Sequence, residues 1–169
     1  MSEYFENIEK VIVNMNANKI EEYSFCGLYT LKKICILSNI ESIKCSVFAG
    51  CISLKEIVFP NSVRKIEEYA FSGCKFLKKI TIPDSVESIS YYAFNNCSYL
   101  EELKMNPYKT KIEKTSFTKC SKLEVFIYPE TIDRIAPYDF KNLPHIKKII
   151  ILGNISIIEP RSFYECKSI

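Results

Sequence analysis

The sequence predicts an α/β repeat solenoid, and three periodic observations carry that prediction. Phenylalanine stands at Phe25, Phe48, Phe71, Phe94, Phe117, Phe140 and Phe163, spaced 23 residues apart each time. Five residues before each lies an isoleucine: Ile20, Ile43, Ile66, Ile89, Ile112, Ile135 and Ile158. Six residues after each lies Leu31, Leu54, Leu77, Leu100, Leu123, Ile146 or Ile169. Self-similarity at one fixed period marks a chain built from a single recurring supersecondary unit. A unit this short cannot bury its own apolar side chains, so neighbouring units must stack to make a continuous core.

The first element of each repeat is a short strand. In Leu77–Ile82, apolar and polar residues alternate and β-branched residues are frequent, which is a strand pattern with one face inward. The inward positions, nine and eleven after the Phe, hold Ile34, Ile57, Ile80, Leu103, Phe126 and Ile149, then Ile36, Phe59, Ile82, Met105, Tyr128 and Ile151. Pro60, Pro83 and Pro129 close three of these strands, because proline brings no amide to a ladder. A second extended piece runs from Val63, Val86, Ile132 or Ile155 to the recurring isoleucine three residues on. Between that isoleucine and the position three after the Phe, the segment YAFSGC and its equivalents predict one turn of helix or a tight bend. Strands at one address pair in parallel ~4.8 Å apart, so about seven rungs make a stack roughly 30–35 Å long. The register also extends backward through Phe5, Ile8, Val11 and Val13. Residues 1–19 are therefore a partial first repeat and N-terminal cap, and residues 20–169 the solenoid of about 6.5 repeats, within one domain.

These residues spell I-x-x-x-A-F-x-x-C-x-x-L-x-x-I-x-I-P, a pattern that resembles the leucine-rich repeats of the bacterial surface antigen (BspA-like) type over residues 5–169. The resemblance implies a right-handed leucine-rich-repeat solenoid with a parallel sheet on its concave face and short strands and turns on its convex side. It implies adhesion-type binding only loosely, because members share a scaffold and differ in ligand. Two repeats depart from the pattern. Asn106 and Lys109 replace the usual proline and valine, so residues 105–111 are expected to loop outward; Leu143, followed by Pro144, replaces a cysteine.

Five of the eight cysteines, Cys51, Cys74, Cys97, Cys120 and Cys166, share the address three after the Phe. Leu28 and Leu143 substitute for them there, as expected of a small buried hydrophobe. Rungs ~4.8 Å apart also exceed the ~3.8 Å between Cβ atoms that a disulfide prefers, so the ladder is expected to be reduced. Cys26, Cys35 and Cys45 lie off it, and Cys35 is expected to face outward from its strand. There is no C-x-x-C pair and the one histidine is His145, which excludes the usual zinc spacing. The four glycines form no phosphate-cradling loop, and no nucleophile stands with an acid–base partner. The sequence therefore predicts no enzyme, no cofactor and no metal.

Net charge of +3, with arginine only at Arg64, Arg134 and Arg161, argues against a nucleic-acid binder, which uses clustered and bidentate cations. No apolar stretch reaches the ~18–20 residues of a membrane-spanning helix, so no membrane insertion is expected. The opening MSEYFENIEK has no secretory h-region; as it stands the chain reads as cytoplasmic, with the cell surface as the alternative the resemblance implies.

Function falls to the outward strand positions. The position eight after the Phe holds Lys33, Glu56, Lys79, Glu102, Val125 and Lys148, and the position ten after holds Cys35, Val58, Thr81, Lys104, Ile127 and Ile150. Charges alternate over four rungs, which suits cross-strand pairing, and the last rungs turn apolar. Lys33, Glu56, Val58, Lys79, Thr81, Glu102, Lys104, Val125, Ile127, Lys148 and Ile150 are the expected partner-binding residues of a non-catalytic recognition module for another protein. The alternative is a structural or self-assembling spacer. The last rung, through Ile149, Ile151, Ile155, Ile158, Phe163 and Ile169, carries no polar cap, so the expectation is either self-association there, with a neighbouring chain covering it, or a natural protein that continues as a larger repeat array.

Overall fold

A computed structural model describes residues 7–113, 115–130 and 133–168. These described residues form thirteen strands: β1 Lys10–Val13, β2 Lys33–Ile36, β3 Ser42–Ile43, β4 Glu56–Val58, β5 Lys65–Ile66, β6 Lys79–Thr81, β7 Ser88–Ile89, β8 Glu102–Lys104, β9 Lys111–Ile112, β10 Val125–Tyr128, β11 Arg134–Ile135, β12 Lys148–Ile151 and β13 Ile157–Ile158. All pairings are parallel, and each joins residues 23 apart, as in Lys10↔Lys33, Lys33↔Glu56, Lys65↔Ser88 and Val125↔Lys148. The chain is a parallel β-solenoid. Each turn gives a strand of three or four residues to one face and, except in the first, a strand of two residues to another. That shorter strand ends on the recurring isoleucine, where the sequence places the second extended piece. Phe5, Ile132 and Ile169, which the periodicity also assigns, lie outside the described residues.

The helical part of the predicted α/β class is not realised: among the described residues there is no helix. The bend is instead a run of three-residue turns, Cys51 N–H donating to Phe48 O at 3.1 Å and Leu54 N–H to Cys51 O at 3.0 Å. Two residues of every repeat, two before and two after the Phe, have positive φ. They are Tyr23 and Gly27, Ser46 and Gly50, Tyr69 and Gly73, Tyr92 and Asn96, Thr115 and Lys119, Tyr138 and Asn142, and Arg161 and Glu165. A left-handed residue at both ends of the Phe segment reverses the chain before a helical turn can propagate. It also turns alternate amides toward the next turn of the solenoid. Phe48 N–H donates to Ala70 O at 2.8 Å and Gly50 N–H to Ser72 O at 2.8 Å, a pattern repeated at Phe71 and Gly73. The bend is thus a hydrogen-bonded ladder in its own right.

Inside run ladders of identical side chains. Phe25, Phe48, Phe71, Phe94 and Phe117 stack in sequence at 5.2–5.5 Å, and Phe140 stacks on Phe163 at 5.3 Å. Leu31, Leu54, Leu77, Leu100 and Leu123 are fully enclosed. All eight cysteines are free thiols, which the rung spacing predicts for the five on the ladder. The ladder thiols do more than fill space. Cys51, Cys74, Cys97 and Cys120 each donate Sγ–H to the Phe carbonyl of the preceding repeat, at 3.1–3.2 Å. Leucine at that address fills the volume but makes no such bond.

Residues 105–111 bulge only in part. Tyr108 projects into solvent, while Thr110 turns inward and its hydroxyl donates to Val86 O at 2.9 Å. Thr110, not Lys109, takes over the valine's inward place.

Candidate functional site

The longer-strand face is built by the pleat: with Ile34, Ile80 and Phe126 buried beneath, their strand neighbours must point out. All eleven sequence-predicted residues are on it. Glu56, Val58, Lys79, Thr81, Lys104, Val125, Ile127 and Lys148 are exposed, and Lys33, Glu102 and Ile150 partly so. Charge alternation produces ion pairs between rungs. Lys33 pairs with Glu56, and Lys79 with Glu102 at 2.8 Å, while Lys104 reaches Glu102 from the same strand at 2.9 Å. Hydrogen bonds from Lys79 and then Lys104 hold the Glu102 carboxyl down to about 2. These pairs are exposed, so each contributes little stability; their consequence is a fixed pattern of charge.

The apolar strip at the far end is present. Val125 is 48% exposed and Ile127 39%, and Ile127 registers with Ile150. Counting forward from Phe25 overlooks a counterpart at the near end. Ile12, 55% exposed, registers with Cys35, and Cys35 with Val58, itself 46% exposed. Running the period backward through Val11 and Val13 places Ile12 between two inward residues, which is the signal that finds it. The column of Ile12, Val58, Ile127 and Ile150 is therefore apolar toward both ends of the face and polar between, while the neighbouring column carries charge on every rung except that of Val125.

The sequence also does not reveal that this face is discontinuous. It falls into β1–β2–β4, β6–β8 and β10–β12. β4 and β6 still lie side by side, but between β8 and β10 a cleft of about 270 Å³ opens. Beneath it the phenylalanine stack breaks as well. Phe126 stands edge-on to both Phe117, at 5.3 Å, and Phe140, at 5.5 Å, where the other repeats have ring on ring. Tyr128 follows it inward and donates its hydroxyl to Asp139 Oδ2 at 2.7 Å, an oxygen that also accepts Ala136 N–H at 2.8 Å. Phe126, at an address that otherwise holds aliphatic residues, followed by Tyr128, is the sequence trace of this seam.

Burial pushes the Cys51 thiol up to about 12 and the Cys74 and Cys97 thiols well above their usual range, so these ladder thiols are poor nucleophiles. His145, on the surface, contacts Ser121 O through Nδ1 at 2.7 Å. Among the described residues no three His, Cys, Asp or Glu side chains converge as metal ligands, and no helix is long and apolar enough to cross a membrane.

A parallel solenoid with L-x-x-I-x-I strands and one turn per repeat is a leucine-rich-repeat protein. Within that class the chain belongs to the BspA type leucine-rich-repeat family, whose profile matches residues 2–55 and 41–169 with six copies of the repeat. Solved structures agree in fold. The leucine-rich-repeat protein TpLRR of T. pallidum superposes with a TM-score of 0.80 at 22% identity, over 89% of this chain and 73% of that one. A leucine-rich-repeat protein of Bacteroides ovatus gives 0.69 at 21% identity, over 89% of this chain and 48% of its own. A leucine-rich cell surface protein of Faecalibacterium prausnitzii gives 0.63 at 20% identity, over 97% and 59%. The chain thus spans between about half and three quarters of these proteins. A comparison with curated protein sequences finds no match.

Proposed function

We propose that the chain is a non-catalytic recognition module that binds another protein through its longer-strand face. The observation that carries this reading is the outward display of Val58, Val125 and Ile127 on strands whose opposite sides are locked into a close-packed core. Apolar side chains held outward on a rigid frame are the economical way to bind, since little ordering entropy is lost on docking. The contact set is Lys33, Glu56, Val58, Lys79, Thr81, Glu102, Lys104, Val125, Ile127, Lys148 and Ile150, extended by Ile12. Adhesion is the specific form in view, supported by the likeness in fold to a cell surface protein. The test is selection from a displayed random-peptide library on the full chain. Enriched binders should lose at least tenfold in affinity, about 1.4 kcal/mol, on a variant carrying Val58→Glu, Thr81→Glu and Ile127→Glu. Binders that ignore these changes would move the site to another face.

A second reading, a self-assembling spacer, rests on the terminal rung. Ile157 and Ile158 are 54% and 57% exposed there, whereas Ile135, one turn earlier at the address of Ile158, is fully buried. Light scattering over a concentration series in reductant separates the two: association abolished by Ile158→Lys supports assembly, and a constant monomer mass removes it.

A further inference from the structure

The cleft between β8 and β10 is more than a missing bridge. At both corners the two turns remain joined, Lys122 N–H donating to Ser98 O at 3.2 Å and Glu130 N–H to Pro107 O at 3.1 Å. Only the strands part, so the opening is a slot closed at each end. Leu103, Met105 and Phe126 lie within it, Val125 and Ile127 flank it, and Glu101 and Glu102 stand at its edge.

Three properties of the slot select an occupant. Its volume, about 270 Å³, falls below the ~300–1,000 Å³ of small-molecule sites but admits one leucine- or phenylalanine-sized side chain, the usual scale of an anchor at a protein interface. Its two long walls are β8 and β10, strands that do not pair with each other, and unpaired strand edges take extended polypeptide. Its lining carries carboxylates and no cation. Glu102 is held by Lys79 and Lys104, and Glu101 makes no ion pair among the described residues. Lys122 and His145 border an adjoining hollow that shares Glu101 and Val125 with the slot.

We propose that this slot is the anchor pocket for an extended segment of a partner protein. The segment inserts one apolar side chain between Leu103 and Phe126 and sets a lysine or arginine beside it, against Glu101. The proposal rests on the recognition reading of the strand face and gives the partner its chemistry.

The test uses the full chain with labelled methyl groups and three capped pentapeptides, Thr-Lys-Leu-Lys-Thr, Thr-Glu-Leu-Glu-Thr and Thr-Lys-Gly-Lys-Thr. Titration with the first should give saturable methyl shifts at Leu103, Met105, Val125 and Ile127. The acidic and anchorless peptides should bind about tenfold more weakly, since like charges at an interface and loss of the anchor each cost at least this factor. Glu101→Lys, at an exposed position that leaves the core untouched, should reverse the preference between the first two peptides. Equal affinity for the first and third peptides would overturn the anchor, and an unchanged preference in Glu101→Lys would overturn the charge assignment. Shifts at Val58 with the four seam methyls unmoved would overturn the slot while leaving the strand face as the binding surface. Absence of shifts at any methyl up to millimolar peptide would overturn the slot as a peptide site. The face-wide variant under Proposed function then decides separately whether the face binds at all.

Discussion

The two left-handed positions in each repeat are where single residues govern the fold most directly. Glycine fills the second of them at Gly27, Gly50 and Gly73, but Asn96, Lys119, Asn142 and Glu165 adopt the same φ of 60–64° in the later repeats. Asparagine tolerates this region through local hydrogen bonding; lysine and glutamate pay the full Cβ–carbonyl repulsion. Lys119→Gly should therefore stabilise the protein by about 0.5–1 kcal/mol, the relieved strain being partly offset by the freer unfolded chain. The converse change separates strain from crowding. A Cβ on Gly73 would meet only Gly50 backbone atoms at 3.7 Å, an ordinary contact, so Gly73→Ala should cost about 1 kcal/mol through its φ of 76° alone. Urea midpoints of the two variants check both signs, and a stabilising Gly73→Ala would mean the bend is misread.

Among the elements, the phenylalanine ladder concentrates the energy. Phe94 is fully buried and stacked at 5.2 Å on Phe71 and on Phe117, so Phe94→Ala removes its burial and two ring contacts and should cost about 3–5 kcal/mol. Phe163, partly exposed and stacked only on Phe140, should lose distinctly less on the same change. Equilibrium urea unfolding of the pair measures the gradient, and a loss below about 1 kcal/mol at Phe94 would contradict the ladder. This element was legible beforehand because a buried address tolerates few residue types, so Phe, Leu and Ile recur with the period. The bend, expected as one turn of helix or a tight bend, is the tight bend, and the choice between the two was not legible for the opposite reason. Its positive φ values fall on Tyr, Ser, Thr and Arg as well as Gly, and sequence alone gives no warning where neighbouring turns impose a conformation against residue preference. The outward face was legible to the extent that the pleat fixes it, so all eleven residues point out. The seam was overlooked although Phe126 and Tyr128 mark it, because a reading repeat by repeat does not show how strands a full turn apart meet above them.

For the whole molecule, each turn touches mainly the turns before and after it, so stability accumulates along the array and repeated small terms become large ones. The thiol ladder is such a term. The Cys51 thiol, ordinarily ionising near 9, is pushed by burial to about 12, and burial also pushes Cys74 and Cys97 well above the ordinary value. A thiol whose folded pKa is raised leaves stability intact below its unfolded pKa. Above it the unfolded chain releases a proton that the folded chain keeps, so stability falls as pH rises toward the folded value. Each such thiol takes away about 1.4 kcal/mol per pH unit in that window, so the three together should remove roughly 4 kcal/mol between about pH 8 and 10. Tyr128, raised by burial and by its hydrogen bond to Asp139, steepens the decline above about pH 10. Urea unfolding at a series of pH values under reductant reads this slope directly. Cys74→Ala should lower stability at neutral pH through the lost volume and yet flatten the alkaline limb by about a third, because one of three equivalent proton releases is gone. Exposed groups titrating alike in both states move neither quantity, so an unchanged limb in Cys74→Ala would place that thiol in contact with water and break the ladder at its centre.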